Sequence, residues 1–245
     1  MPLYKDETRI FSKNYWKSAA ENFKNVKMIT VAAMFIALRV AVKSLQISIS
    51  GGLFLTADCY VNSLGSMIYG PLVGLAVGAV SDTLGCLLFP KGAYFFPFIF
   101  VEMSSSFIFG LFFWKRNITI GRSIVAKFTV NMFCNVILNS IFIKWSYYVF
   151  YGIEKAQAYN LINLTRIAKN LVLFPFEALI IAIILQAMIR PLQSLNLISP
   201  NLQKQDIKVQ HILAAVLLAI FSILLIAFYI FCLKDFIAAN NIKIL

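Results

Sequence analysis

The sequence predicts an all-α polytopic membrane protein. Of its 245 residues, 60% are hydrophobic and only 13% are charged, and the mean hydropathy is +0.82. Soluble domains run at roughly 45–50% apolar. The apolar residues are also gathered into stretches near the length that a bilayer crossing needs, about 20 residues. Seven such stretches are expected, at roughly 28–46, 53–69, 71–90, 94–114, 121–150, 160–190 and 210–233. The seventh follows a polar linker and reads as an addition to a six-helix core. The expected organisation is a basic amphipathic N-terminal segment (1–27), the core (28–190), the linker (191–209) and the extra helix (210–245).

The first segment interleaves Lys5, Arg9, Lys13, Lys17 and Lys24 with Ile10, Phe11, Tyr15, Trp16 and Phe23. A cleavable signal peptide would place a short basic region before an apolar core and a small-residue cleavage site. The observed mixture reads instead as a helix lying in the membrane interface. In the first span Ala33, Ala37 and Ala41 recur every fourth residue, a smooth strip on which another helix can pack closely. The second span is short and interrupted by Asp58, Asn62 and Ser63.

The third span carries Gly70, Gly74 and Gly78 at the same spacing, with Asp82 one turn further on. A carboxylate in apolar surroundings requires a hydrogen-bond donor, a cation or a ligand. The segment Pro90-Lys91-Gly92-Ala93-Tyr94-Phe95-Phe96-Pro97 reads as a turn combining a cation with three aromatic rings. Such a loop suits a flat ring with an anionic tail, or an aromatic belt at the interface. The fifth span holds Asn131, Asn135 and Asn139 in one i, i+4, i+8 stripe, together with Lys127, Lys144 and Trp145. Arg166 and Lys169 lie three apart at the mouth of the sixth span, which contains one carboxylate, Glu177. That spacing puts both cations on one helix face.

Orientation follows from the cations outside the spans. With the N-terminus inside, the inner segments hold Lys5, Arg9, Lys13, Lys17, Lys24, Lys27, Lys115, Arg116, Arg122, Arg190, Lys204 and Lys208. The outer segments hold Lys43, Lys91, Lys155, Lys234 and Lys243. Twelve against five supports a cytoplasmic N-terminus. Lys43, Lys91, Arg166 and Lys169 then gather at the outer face, against the general trend, where they would meet an anionic ligand arriving from outside.

Several function classes lack material. The net charge of +12 forms no basic stripe or nucleic-acid-binding motif. Cys59, Cys86, Cys134 and Cys232 are far apart, and His211 is the only histidine, which argues against a disulfide framework, a metal site or a Ser-His triad. No HExxH, GxSxG, Walker A or dinucleotide fingerprint is present. No catalytic residue, metal or cofactor is expected in this chain.

As a set, Gly70-Pro71 through Asp82 and Leu87 through Phe95 resemble the substrate-binding S components of energy-coupling factor (ECF) vitamin transporters. Leu138-Asn139-Ser140, Tyr151-Gly152, Arg166-Ile167-Ala168-Lys169 and Pro175-Phe176-Glu177 are similar to the folate-specific branch. The resemblance covers roughly 28–190. It implies a six-helix subunit in a bacterial plasma membrane that binds one vitamin at its outer face. Its partners would be a transmembrane coupling subunit and two cytoplasmic ATPases, which would use the ATP. The alanine strip (Ala33, Ala37, with Ala41) would meet the coupling subunit. For folate or a related pterin, Arg166, Lys169 and Lys91 would pair with the glutamate carboxylates. Tyr94, Phe95 or Phe96 would stack on the rings beside Gly92. Asn139 and Asp82 would make polar contacts or hold the pocket's helices, and Lys43 would add charge where folate-type members often carry arginine. The extra C-terminal span departs from the family pattern. Another vitamin, or a structural or regulatory membrane role, are the competing readings.

Overall fold

A computed structural model describes residues 10–44, 46–50, 53–90, 94–159, 161, 164–202 and 209–228. The fold is a bundle of long apolar helices. Among the described residues four helical runs are long and apolar enough to cross a membrane: Asp58–Leu88, Phe96–Phe113, Ile120–Tyr151 and Arg166–Ser194.

Helix α1 (Lys13–Glu21) starts where Ser12 accepts a hydrogen bond from the Asn14 amide. It buries Tyr15 and Ala19 and leaves Lys13 and Lys17 exposed. A 3₁₀ turn (Asn22–Lys24) leads into α2 (Val26–Lys43), capped by the Asn25 side chain. The two parts are bent by 78°. Tyr15 packs edge-on against Trp114, and the Asn22 side chain donates to the Tyr69 carbonyl.

The chain then forms an antiparallel hairpin of β1 (Gln46–Ser50) and β2 (Leu53–Thr56). This corrects the expected span boundaries of 28–46 and 53–69, because helix α3 (Asp58–Leu88) begins only at Asp58. The run Gln46-Ile47-Ser48-Ile49-Ser50 alternates polar and apolar residues, which is the period of a strand and not of a helix.

Helix α3 contains both the second and third expected spans. They are separated by a break at Gly70, with φ 83° and ψ 180°, just before Pro71. Only glycine enters this region at no steric cost, and proline removes the amide that would continue the hydrogen-bond ladder. Helix α4 (Ile99–Phe113) packs against α3 along the glycine strip. A Cβ at Gly78 would lie 2.8 Å from the Glu102 carbonyl oxygen, and one at Gly74 would lie 3.2 Å from that of Ser106.

Helix α5 (Ile120–Thr129) is capped by Thr119 and runs into a π-helical stretch, Val130–Leu138. It continues as α6 (Asn139–Tyr151), which ends at Gly152 and is followed by the short α7 (Ile153–Ala158). Helix α8 (Leu164–Ser194) contains Pro175 and Pro191, and α9 (Val209–Phe228) packs against it.

The main apolar core includes Met67, Phe109, Phe113, Ile181, Leu185 and Ile189. It fills the half of the bundle nearest the α3 break. The other half, where α2 ends and α3, α4 and α8 begin, carries the polar groups. Many large apolar side chains, among them Met34, Leu87, Ile183 and Leu224, point outward, as a lipid-facing surface requires.

Candidate functional site

At that polar end, α3, α4, the α5–π segment and α8 enclose a cavity of about 270 Å³. Its charged lining is Asp58, Glu102, Glu177, Lys127 and Lys169, with Asn62, Ser105, Asn135 and Asn170 between them. Val101, Val130 and Leu173 supply apolar wall.

Behind the cavity lies Arg39, whose side chain is wholly buried. Its Nε donates to Asp58 Oδ1 at 2.9 Å and its Nη2 to Asp58 Oδ2 at 3.0 Å. Nη2 also reaches Glu102 Oε2 at 2.6 Å, and Nη1 donates to Ser106 Oγ at 3.1 Å. Ser106 Oγ in turn donates to Asn62 Oδ1 at 2.8 Å. The planar guanidinium fork matches two carboxylates in a way an ammonium could not. Thus α2, α3 and α4 are joined by one buried polar hub.

A second ion pair crosses the cavity wall between α5 and α8. Lys127 Nζ lies 3.1 Å from Glu177 Oε2, with side chains only 4% and 9% exposed. A network of amides completes the wall. Asn131 donates to the Asn170 carbonyl at 3.1 Å, and Asn135 donates to the Asn170 side-chain oxygen at 3.2 Å. The π-helical stretch, with its i→i+5 bonding, widens the turn that carries Asn131 and Asn135.

Lys169, which is half-buried, differs from the cations paired inside the bundle. Arg39, Lys43 and Lys127 each hold a carboxylate. Among the described residues none is within ion-pair distance of Lys169, although it lines the cavity. Among the described residues Lys169 is therefore the lining cation without a carboxylate partner, in a wall that holds three carboxylates and two cations. Arg166, one turn earlier, donates to Ser140 Oγ at 3.2 Å and does not line the cavity itself.

The remaining expected site residues take other places. Lys43 and Asp82 satisfy each other at 3.0 Å, Lys43 also lies 3.5 Å from Glu102, and neither Lys43 nor Asp82 lines the cavity. Phe95 is buried edge-on against Phe98, Trp145 and Phe150, while Tyr94 is 42% exposed. Asn139 sits where the helix returns to α geometry, half-buried and outside the cavity lining. Lys91 and Gly92 lie outside the described residues. Ala33, Ala37 and Ala41 are exposed along α2.

Sequence reasoning missed Arg39, the wall roles of Asp58 and Glu102, and the pairing of Lys127 with Glu177. The signal was present: each is an ionisable residue inside an apolar stretch, and such residues mark functional sites by default.

A multi-pass helical bundle with a polar, charge-lined cavity at one end has the form of a membrane subunit that binds a small solute. The chain belongs to the family described as ECF-type riboflavin transporter, S component, whose model matches residues 23–190. Two curated relatives carry the name folate transporter FolT. One, from Clostridium novyi (strain NT), is 31% identical over 119 residues, or 49% of this chain and 64% of the relative. The match therefore spans just under two thirds of that relative's length. The other, from Leuconostoc mesenteroides subsp. mesenteroides, is 28% identical over 62% of this chain and 81% of the relative. Among solved structures, a crystal structure of FolT bound with folic acid superposes with a TM-score of 0.54 at 26% identity. That superposition covers 65% of this chain and 91% of the FolT chain. The protein is thus a multi-pass membrane protein of a transporter S-component family.

Proposed function

We propose that this chain is the substrate-binding subunit of an ATP-driven ECF importer and that its ligand is folate. The observation that carries the reading is the polar cavity in which Lys169, among the described residues, has no carboxylate partner and stands beside amides and carboxylates. Folate combines a flat, donor-rich ring with a dianionic tail, and both halves find complementary groups here. A cavity of about 270 Å³ lies just below the roughly 300–1,000 Å³ usual for whole ligands. It accommodates the ring end, with the tail running outward past Lys169 towards Arg166. Two relatives named for folate support the same ligand.

Lys169 and Arg166 are assigned to the tail carboxylates, with Lys91 and Gly92, which precede Tyr94 in the sequence. Tyr94 is assigned to the rim, and Phe95, Asn139, Asp82 and Lys43 to supporting the helices around it. The exposed Ala33, Ala37 and Ala41 offer a smooth face for the coupling subunit. ATP hydrolysis belongs to two cytoplasmic partner subunits, and the chain itself performs no catalysis. The excess of cations on the N-terminal side supports a cytoplasmic N-terminus.

Titration calorimetry of the purified protein in detergent, with folic acid and riboflavin as separate ligands, tests the reading. Folic acid binds and Lys169→Ala weakens it about 10–100-fold, since a charged hydrogen bond contributes roughly 1.5–3 kcal/mol. The thermal midpoint stays unchanged, because Lys169 pairs with no carboxylate among the described residues. No binding of folic acid by the unmodified chain overturns the assignment, and binding of riboflavin alone transfers it to a different vitamin.

A further inference from the structure

A second depression lies apart from the cavity and shares none of its lining residues. Helices α6 and α7, joined through Gly152 at φ 87°, enclose a groove of about 460 Å³. Ile141, Trp145 and Tyr148 line it from one face of α6, and Ile153 and Ala156 from α7. Ile141, Trp145, Tyr148 and Ile153 are exposed, whereas Ala156 is buried. Lys144 is the one charge in the lining among the described residues. Within that set no carboxylate is at ion-pair distance from it. Glu154, on α7, is not part of the lining. The Lys155 Nζ lies over the Tyr151 ring, 5.1 Å from its centroid, so a second cation is held where α6 meets α7.

Helix length puts this groove at the membrane's edge. The run Ile120–Tyr151 has 32 residues, about 48 Å at 1.5 Å per residue. The hydrocarbon core is about 30 Å thick, or about 20 residues of helix. Measured from Arg122 at one boundary, the other boundary falls near Phe142. Lys144 and the rings of Trp145, Tyr148 and Tyr151 then lie at headgroup depth, where tryptophan and tyrosine concentrate.

We propose that the groove between α6 and α7 binds an anionic phospholipid, its acyl chain against Ile141, Trp145 and Ile153 and its phosphate on Lys144. Exposed apolar wall at headgroup depth gains from a covering of hydrocarbon. An ammonium with no carboxylate gains from a phosphate, which it meets as a point charge. An anionic phospholipid carries both groups in one molecule. A zwitterionic lipid brings its own cation, which competes with Lys144 for the phosphate. The groove's volume falls within the roughly 300–1,000 Å³ usual for ligand sites. Each lysine beside the bilayer surface favours an anionic lipid by about fivefold.

The test uses the full chain in phosphatidylcholine nanodiscs doped with phosphatidylglycerol or phosphatidylcholine that carries bromine on its acyl chains. Bromine quenches tryptophan only at short range. Of the three tryptophans, Trp145 lines the groove, and subtracting the signal of Trp145→Phe isolates its emission. Brominated phosphatidylglycerol quenches Trp145 with about tenfold preference over the brominated choline lipid. Lys144→Gln reduces that preference about fivefold while the choline lipid still quenches, since the apolar wall is intact. Lys144→Arg keeps the charge and retains the preference. Glycerol phosphate without acyl chains, added at millimolar concentration, leaves the quenching unchanged. Equal quenching by both lipids in the unmodified chain overturns the proposal, as does a preference that survives Lys144→Gln. Displacement by free glycerol phosphate overturns it in favour of a plain anion site. If neither lipid reaches Trp145, protein rather than lipid covers the groove and the proposal fails. None of these outcomes depends on which vitamin the cavity binds.

Discussion

The Lys127–Glu177 pair gives the most demanding test of how the cavity wall is built. Its charges lie 3.1 Å apart, with side chains 4% and 9% exposed, and they join α5 to α8. Lys127→Met removes the cation and leaves a carboxylate in a nearly dry environment. Glu177→Leu strands the ammonium in the same way. Breaking a buried pair from one side costs roughly 3–5 kcal/mol, whereas replacing both partners by apolar groups of similar volume is often neutral or stabilising. At 2–4 °C per kcal/mol for a chain of this size, each single substitution lowers the thermal midpoint by about 6–20 °C. The double variant Lys127→Met/Glu177→Leu returns to within about 1 kcal/mol of the original. Thermal unfolding of all four proteins in one detergent closes the double-mutant cycle, which isolates the pair's coupling. If the two losses simply add in the double variant, the residues are not energetically paired and the geometry of the wall is wrong.

Two further outcomes follow from packing and from the amide network. Gly78→Ala places a Cβ 2.8 Å from the Glu102 carbonyl oxygen and 3.0 Å from the Met103 Cα, so it forces α3 and α4 apart and costs about 1–3 kcal/mol. Gly121→Ala meets nothing within 4 Å on the exposed start of α5. It stabilises the helix by about 0.5–1 kcal/mol, and the same unfolding assay reads both. Asn170→Leu removes one of the two side-chain acceptors of the half-buried Asn135 and lowers stability by about 0.5–1.5 kcal/mol, the net contribution of one hydrogen bond. Equal stability of that variant in thermal melts would mean that the amides are solvated and that the wall is open there.

Much of the architecture was legible in the chain because it depends on local periodicity. Apolar stretches of bilayer length marked the helices, and Gly74 and Gly78 marked the face of α3 that α4 approaches. The i, i+3 spacing of Arg166 and Lys169 placed them together at the start of α8. The β1–β2 hairpin was missed because its apolar residues were counted towards flanking spans, although their period of two distinguished them. Phe95 was read as a stacking ring, yet it is edge-packed against three aromatic rings of its surroundings. Sequence proximity to a cation says nothing about which way an aromatic side chain turns.

The sequence by itself determined the solvent in which this protein folds, the bundle of long helices and the presence of several charges where charge is costly. It also placed a cation pair at the head of α8. Only the tertiary structure decided which charges cancel. Arg39 finds Asp58 and Glu102 at separations of 19 and 63 residues, and Lys43 finds Asp82 at 39. Such pairings depend on the depth and rotation of one helix against another, which the break at Gly70 and the glycine contacts of α3 set. Once they are made, Lys169 stands on the cavity wall as the cation without a carboxylate among the described residues, because helix packing has already satisfied the others.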